Sequence, residues 1–209
     1  MARGVNDLFT IVMNHLRGRV LHNRYWAMRH GQSVSNVQRC IVGDPVVGLF
    51  DYGLTPLGRS QVRIALDSHF VFQSKKLRIF TSDFLRTRQT AAMIQAHCRT
   101  AYATTSLLRE RFFGIWEGKS SDVYQHIWQA DIVHYATRVN NVESVSEVMD
   151  RTTRCVVYVE SLYEDADILL VSHGDTIQML QAAFQDIVPP MHQTIAHLQN
   201  AQIIQLNTL

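Results

Sequence analysis

Apolar residues follow two rhythms along this chain: short continuous runs, and longer stretches in which they recur at every third or fourth position. The short runs predict strands over 24–28, 77–81, 101–105, 168–171 and 203–206. Of these, Ile168-Leu169-Leu170-Val171 has no polar interruption, as expected of a strand covered on both faces. The longer rhythm predicts helices between them. One starts over 32–36. A second opens at Thr55-Pro56, with Thr55 as N-cap and Pro56 where its missing N–H does no harm, and carries Val62, Leu66 and His69 on one face. A third spans 82–98, capped by Ser82 with Asp83 in its first turn. A fourth, over 145–159, is announced by the capping box Ser144-Val145-Ser146-Glu147, and a fifth runs over 176–184 before Pro189-Pro190 breaks the chain. Glycines, Pro45 and aspartates between 43 and 53 predict an irregular loop. From 110 to 141 the pattern is helical and aromatic (Phe112, Phe113, Trp116, Tyr124, Trp128, Tyr135), which predicts a helical insertion, several of these rings being ordinary core.

Strands alternating with helices predict an α/β architecture built on a mainly parallel sheet. The length of 209 residues fits one domain, placed at 23–209, after an amphipathic extension over 1–22. In that extension Val5, Leu8, Phe9, Val12, Met13 and Leu16 share a face. A helix docked on the domain is the first reading and an organellar targeting helix the second.

Composition changes this picture little. The formal charge of +2, without a Lys/Arg run, gives no footprint for nucleic acid, and no apolar stretch reaches the roughly 18–20 residues of a membrane span. Cys40, Cys98 and Cys155 are odd in number and lack a C-x-x-C pair, which predicts reduced, mostly buried thiols and a cytoplasmic protein. Ten histidines contain no metal-ligand spacing.

Candidate chemistry collects at strand ends. The first predicted strand ends in Arg29-His30-Gly31 and the fourth in Ser172-His173-Gly174, while Arg86 lies one turn into the helix after the second. In parallel sheets ligands sit beyond the carboxyl ends of the strands. A titratable imidazole, two guanidinium forks and a backbone without side chain suit a bound phosphate: His30 to attack phosphorus, Arg29 to hold oxygens bidentately, Gly31 to let the backbone close in.

These segments, taken with others, resemble the histidine phosphatase superfamily, which includes cofactor-dependent phosphoglycerate mutases and many small phosphatases. The resemblance runs from about 25 to 180. It rests on Arg29-His30-Gly31-Gln32-Ser33 with Asn36, on Gly53-Leu54-Thr55-Pro56-Leu57-Gly58, on the stretch from Ser82-Asp83-Phe84-Leu85-Arg86 to Ala91, on Leu108-Arg109-Glu110 through Gly118, and on Val171-Ser172-His173-Gly174-Asp175. It implies a three-layer α/β/α sandwich with a helical insertion near the site, no metal and no cofactor. By position, His30 matches the phosphorylated nucleophile and Glu110 the proton donor. Arg29, Arg86 and His173 match the cationic pocket, and Asn36 and Gly174 join Arg29 and Arg86 as phosphate contacts. On chemical grounds His173 is expected protonated, His30 held neutral by a backbone carbonyl after Gly31, Glu110 raised in pKa beside Phe112 and Phe113, and Arg88 structural.

Two departures bear on the reaction. Asp175 stands where matching mutases have Asn, and would repel a second anionic group on the substrate. Lys119 and a lone Arg138 replace an Arg-Arg pair for the substrate's far end. The expectation is a phosphomonoesterase for a small phosphate ester, with sugar phosphates, nucleotides, phosphoproteins and lipid phosphates all open as substrates. A mutase-like phosphotransferase comes second and a non-catalytic phosphate-binding module third. Nucleic-acid and membrane partners are not expected, and oligomeric state is not legible.

Overall fold

Five strands form one sheet in the computed structural model, which describes residues 14–207. In chain order they are β1 (Arg24–Arg29), β2 (Leu77–Ser82), β3 (Tyr102–Thr105), β4 (Asp167–Ser172) and β5 (Ile203–Gln205). Their spatial order is β3-β2-β4-β1-β5; β1, β2, β3 and β4 run parallel, and β5 pairs antiparallel with β1. The helices are α1 (Val34–Gln38), α2 (Pro45–Gly48), α3 (Pro56–Ser68), α4 (Leu85–Cys98), α5 (Tyr124–His134), α6 (Val145–Glu160) and α7 (Gly174–Phe184).

The period-two alternation of strand side chains divides them between two helical layers. Met28, Ile79, Leu169 and Val171 pack with Val62 and Leu66 of α3 and Ala91 and Ile94 of α4. Tyr25, Phe80, Ile168 and Leu170 face the other way, onto Cys155, Val156 and Val159 of α6 and Leu180 of α7. Each fully covered side chain of this size contributes about 1.5–3 kcal/mol, so both layers are held by burial. The three-layer α/β/α sandwich is therefore as expected, and β4, buried along its whole length, is its central strand.

Caps explain several boundaries. Thr55 Oγ1 accepts from Gly58 N at the start of α3, and the Ser144–Glu147 capping box opens α6. Other boundaries differ from expectation. Ser82 does not cap α4: it closes β2, Phe84 occupies the cap without a side-chain bond, and Asp83 is drawn off to Arg109 by two hydrogen bonds of 2.8 and 2.7 Å. Residues 45–48 are a short helix, because Asp44 accepts from Val46 N and Pro45 starts the turn. The insertion is less helical than predicted. Gly114 and Gly118 take positive φ and split its first part into single 3₁₀ turns, leaving α5 as its one α-helix. His69 lies just past α3 as its C-cap. Helix α7 begins at Gly174, two residues early, with His173 as N-cap.

The extension expected over 1–22 falls largely on residues 1–13, outside the described residues. Residues 15–18 form a turn that buries Leu16 in the α6–α7 layer. Cys155 is buried, while Cys40 and Cys98 are half-exposed, and all three thiols are free. Among the described residues no helix is long and apolar enough to cross a membrane.

Candidate active site

The site grows out of three adjacent strand ends. Because β4 lies between β1 and β2, the residues that follow β1, β2 and β4 are delivered side by side at the carboxyl edge. His30 follows β1, Arg86 stands in the first turn of α4 after β2, and His173 follows β4. Gly31 makes the first turn passable: a Cβ there would lie 2.4 Å from the Gly58 carbonyl oxygen, so only glycine fits.

The two imidazoles meet edge to face, centroids 5.2 Å apart. His30 is 2% exposed and its Nδ1–H donates to the Gly31 carbonyl at 2.7 Å, which fixes the tautomer and leaves the Nε2 lone pair directed into the site. Burial, then Arg86 and Arg29, hold its pKa well below the usual imidazole range. Arg86 lies between the rings. Its Nε–H reaches His30 Nε2 at 3.2 Å and His173 Nδ1 at 3.1 Å, and Nη2 donates to the Val42 carbonyl at 2.9 Å. His173 Nε2–H donates to Ser82 Oγ at 2.9 Å. The Ser82 hydroxyl expected to cap a helix thus orients an imidazole.

The surroundings of His173 oppose the charge expected on it. It is wholly buried, accepts at Nδ1 from a cation, and burial followed by Arg86 pushes its pKa well below normal. The positive charge of the site comes from the arginines. Arg29 Nη1 donates to the Leu198 carbonyl at 2.6 Å, while Arg29 Nε and Arg86 Nη1 are buried without a partner. Buried N–H donors are nearly always satisfied, so two orphaned guanidinium donors beside one histidine mark an anion site.

Glu110 completes the set. Its Oε1 accepts from Arg111 N at 3.0 Å, Thr176 Oγ1 at 3.1 Å and Thr176 N at 3.3 Å; among the described residues Oε2 has no hydrogen-bond partner. Its pKa is raised, as expected, by burial first and then by the neighbouring Asp175, opposed by Arg86. Phe113 belongs to a separate cluster with Ile41, Ile127 and Val142. Asn36 uses its Oδ1 to accept from Ser33 N at 3.0 Å and Asn200 Nδ2 at 3.2 Å, beside the site, with its amide nitrogen unbonded to protein. Gly174 lies under Arg29, whose Cζ is 3.5 Å from the point a Cβ would take. Arg88 is structural, donating to the Leu49 carbonyl at 2.8 Å.

Asp175 is more enclosed than its sequence position implied. It is 4% exposed, accepts from the Trp128 indole at 3.4 Å, and stands 3.8 Å from Arg111. Arg111, fully buried, clasps Asp131 of α5 through bonds of 2.7 and 2.6 Å and so pins the insertion beside Glu110. Arg138 is spent on Glu147 at the surface. Nothing in the sequence marked Arg111, Asp131, Thr176 and Asn200 as supports or His197 as a neighbour of the site, whereas Tyr124 stands beside it as the insertion was expected to. Among the described residues no three metal-ligating side chains cluster.

The chain is similar to several known proteins in sequence and fold. The probable phosphoglycerate mutase GpmB of Escherichia coli O1:K1 / APEC is 27% identical over 190 residues, covering 87% of this chain and 83% of its own. That of Serratia proteamaculans is 30% identical over 154 residues, covering 71% and 68%. Among solved structures, a mycobacterial glucosyl-3-phosphoglycerate phosphatase in complex with VO3 superposes with a TM-score of 0.75 at 25% identity, covering 87% of this chain and 90% of its own. A phosphoserine phosphatase from Entamoeba histolytica, in complex with 3-phosphoglyceric acid, shares the fold with a TM-score of 0.71 at 20% identity, covering 87% and 88%. The histidine phosphatase superfamily (branch 1) profile matches residues 25–208, and the chain belongs to that superfamily.

Proposed function

We propose that the chain hydrolyses phosphate monoesters through a phosphohistidine at His30, with Glu110 as the proton donor. The observation that carries this reading is the pairing of a tautomer-fixed Nε2 with two orphaned guanidinium donors, Arg29 Nε and Arg86 Nη1. The steps follow from the geometry. The phosphoryl group draws the Arg86 guanidinium onto its equatorial oxygens and so uncovers the His30 lone pair. Nε2 attacks phosphorus as the ester P–O bond breaks, and Glu110 gives its proton to the departing alcohol oxygen. Glu110, now a carboxylate, takes a proton from water, whose oxygen attacks the phosphohistidine and releases inorganic phosphate and neutral Nε2. Asn36 and Gly174 contribute to phosphate binding, and His173 positions Arg86 as an acceptor. The substrate is a small phosphate ester, with phosphoproteins as the alternative, and the compartment is the cytoplasm.

A mutase-like phosphotransferase is the second reading, favoured by the names of the GpmB relatives. Asp175 beside the pocket and Arg138 committed at the surface favour hydrolysis. The third, a binding module without turnover, is met by the same test. Wild-type protein hydrolyses p-nitrophenyl phosphate and traps an acid-labile, base-stable phosphoenzyme, whereas His30→Ala does neither. Equal label in His30→Ala would reject the nucleophile, and no turnover by wild type would leave the binding module. A coupled assay with 3-phosphoglycerate and the bisphosphate measures the mutase reading.

A further inference from the structure

An aromatic cluster stands beside the site. Tyr124 and Trp128, one turn apart on α5, stack with centroids 5.3 Å apart and planes 12° from parallel. His197 tilts over Trp128 at 5.2 Å. Its Nδ1 lies 3.4 Å from the point a Cβ on Gly174 would occupy, and Arg29 Cζ lies 3.5 Å from that same point, so the third ring stands beside the phosphate-binding guanidinium. The Tyr124 hydroxyl lies within the fields of Asp175, Glu110, Arg86 and Arg29.

At the foot of this cluster is Asp175, with the Trp128 indole N–H at 3.4 Å, His197 Nε2 at 3.7 Å and Arg111 at 3.8 Å. Arg111 is already matched by Asp131, so the foot keeps negative character. A column of mutually packed rings beside a carboxylate offers apolar ring edges and a hydrogen-bond acceptor, which suit an alcohol with C–H groups and hydroxyl donors and oppose one that brings its own anion.

We infer that Tyr124, Trp128 and His197 form the leaving-group subsite, and that Asp175 at its foot selects esters of uncharged, hydroxylated alcohols against esters whose alcohol carries a carboxylate or second phosphate. This rests on the phosphomonoesterase reading. It departs from the anionic compounds named for the two solved phosphatases.

Glycerol 3-phosphate and 3-phosphoglycerate are a matched pair, differing by CH₂OH against COO⁻. Wild type is expected to favour glycerol 3-phosphate in kcat/KM by about 10-fold or more, which needs only about a third of the repulsion of one like-charge contact at intermediate dielectric. Asp175→Asn narrows that ratio to roughly 3-fold or less. The same substitution alters Glu110 for both esters alike, so the ratio isolates the subsite. Trp128→Ala raises KM for glycerol 3-phosphate about 10-fold while inhibition by inorganic phosphate is unchanged, and Trp128→Phe recovers most of the loss. Equal efficiency for the pair in wild type, an unchanged ratio in Asp175→Asn, or equal weakening of ester and inorganic phosphate in Trp128→Ala would each overturn the assignment. His30-dependent hydrolysis of p-nitrophenyl phosphate in the same preparations keeps a failure of the subsite distinct from a failure of the parent reading.

Discussion

Replacing Arg86 by Met separates what the site costs from what it does. The guanidinium is 3% exposed, has no carboxylate within hydrogen-bond reach, and leaves Nη1 unpartnered. Burial, offset in part by the charge of Glu110, pulls its pKa from 12.5 to about 10. At 1.36 kcal/mol per unit this is a penalty of about 3 kcal/mol on the charged form. The folded value lies below the unfolded one, so the penalty is fully present at every pH below about 10 and is relieved only as pH rises through that value. Arg86→Met removes it but forfeits the bond to the Val42 carbonyl and the Nε–H shared by the two imidazoles, together about 3 kcal/mol. The balance predicts a Tm within about 4 °C of wild type, at about 2–4 °C per kcal/mol for a chain of this size. Activity moves the other way. Loss of a donor aimed at developing charge costs about 10²–10³ in kcat, and Arg86 offers more than one N–H, so a loss of about 10³ or more is expected. Inorganic phosphate at about 100 times its Kd stabilises wild type by about 2.7 kcal/mol and leaves the variant unmoved. Thermal unfolding with and without phosphate, beside p-nitrophenyl phosphate turnover, reads all three effects. A Tm lowered by more than about 4 °C, or a phosphate-dependent shift that survives in the variant, refutes the reasoning.

The remaining predictions draw on other parts of the site. Glu110→Gln slows hydrolysis of alkyl esters more than of p-nitrophenyl phosphate, because a good leaving group needs little protonation; equal losses would remove Glu110 as the donor. In wild type kcat/KM for alkyl esters falls as pH rises through the raised pKa of Glu110, and Asp175→Asn moves that fall to lower pH by removing a neighbouring negative charge. His30 and His173 are neutral when folded and take up protons when unfolded. Stability is therefore full above the unfolded histidine value near 6.5 and declines below it by about 1 kcal/mol per histidine per pH unit, a slope flattened in His30→Asn/His173→Asn and measured by urea unfolding at stepped pH. Asp131→Ala strands the buried Arg111 and lowers Tm by about 6–12 °C, from a loss near 3 kcal/mol.

Local signals were legible in the sequence, and long-range ones were not. The five strands, the Thr55 cap, the Ser144–Glu147 box and the His30 tautomer partner all rest on neighbours within a few positions, and each is where the pattern placed it. The failures share a cause. Asp83 and Ser82 read as helix-start residues, but Asp83 is taken by Arg109 and the Ser82 hydroxyl by His173, 91 positions away. The burial of His173 and its bond from Arg86, which lower its pKa, exist only after three strands have come together and could not be read locally. His197 carries no motif at all, and reaches Trp128 and Asp175 only because α7 and the segment after it fold back over the sheet edge.

The order β3-β2-β4-β1-β5 also dictates when reactivity can arise. Strands β1 and β2 never pair with each other; the strand that joins them is made from the last quarter of the sequence. A nascent or truncated chain ending before that strand holds its histidine and its arginine on unconnected halves. On the proposed reading such a fragment lacks the paired histidine and arginine, so activity is expected only once β4 has joined the sheet. Closing so many distant pairings also makes this a slow-folding arrangement.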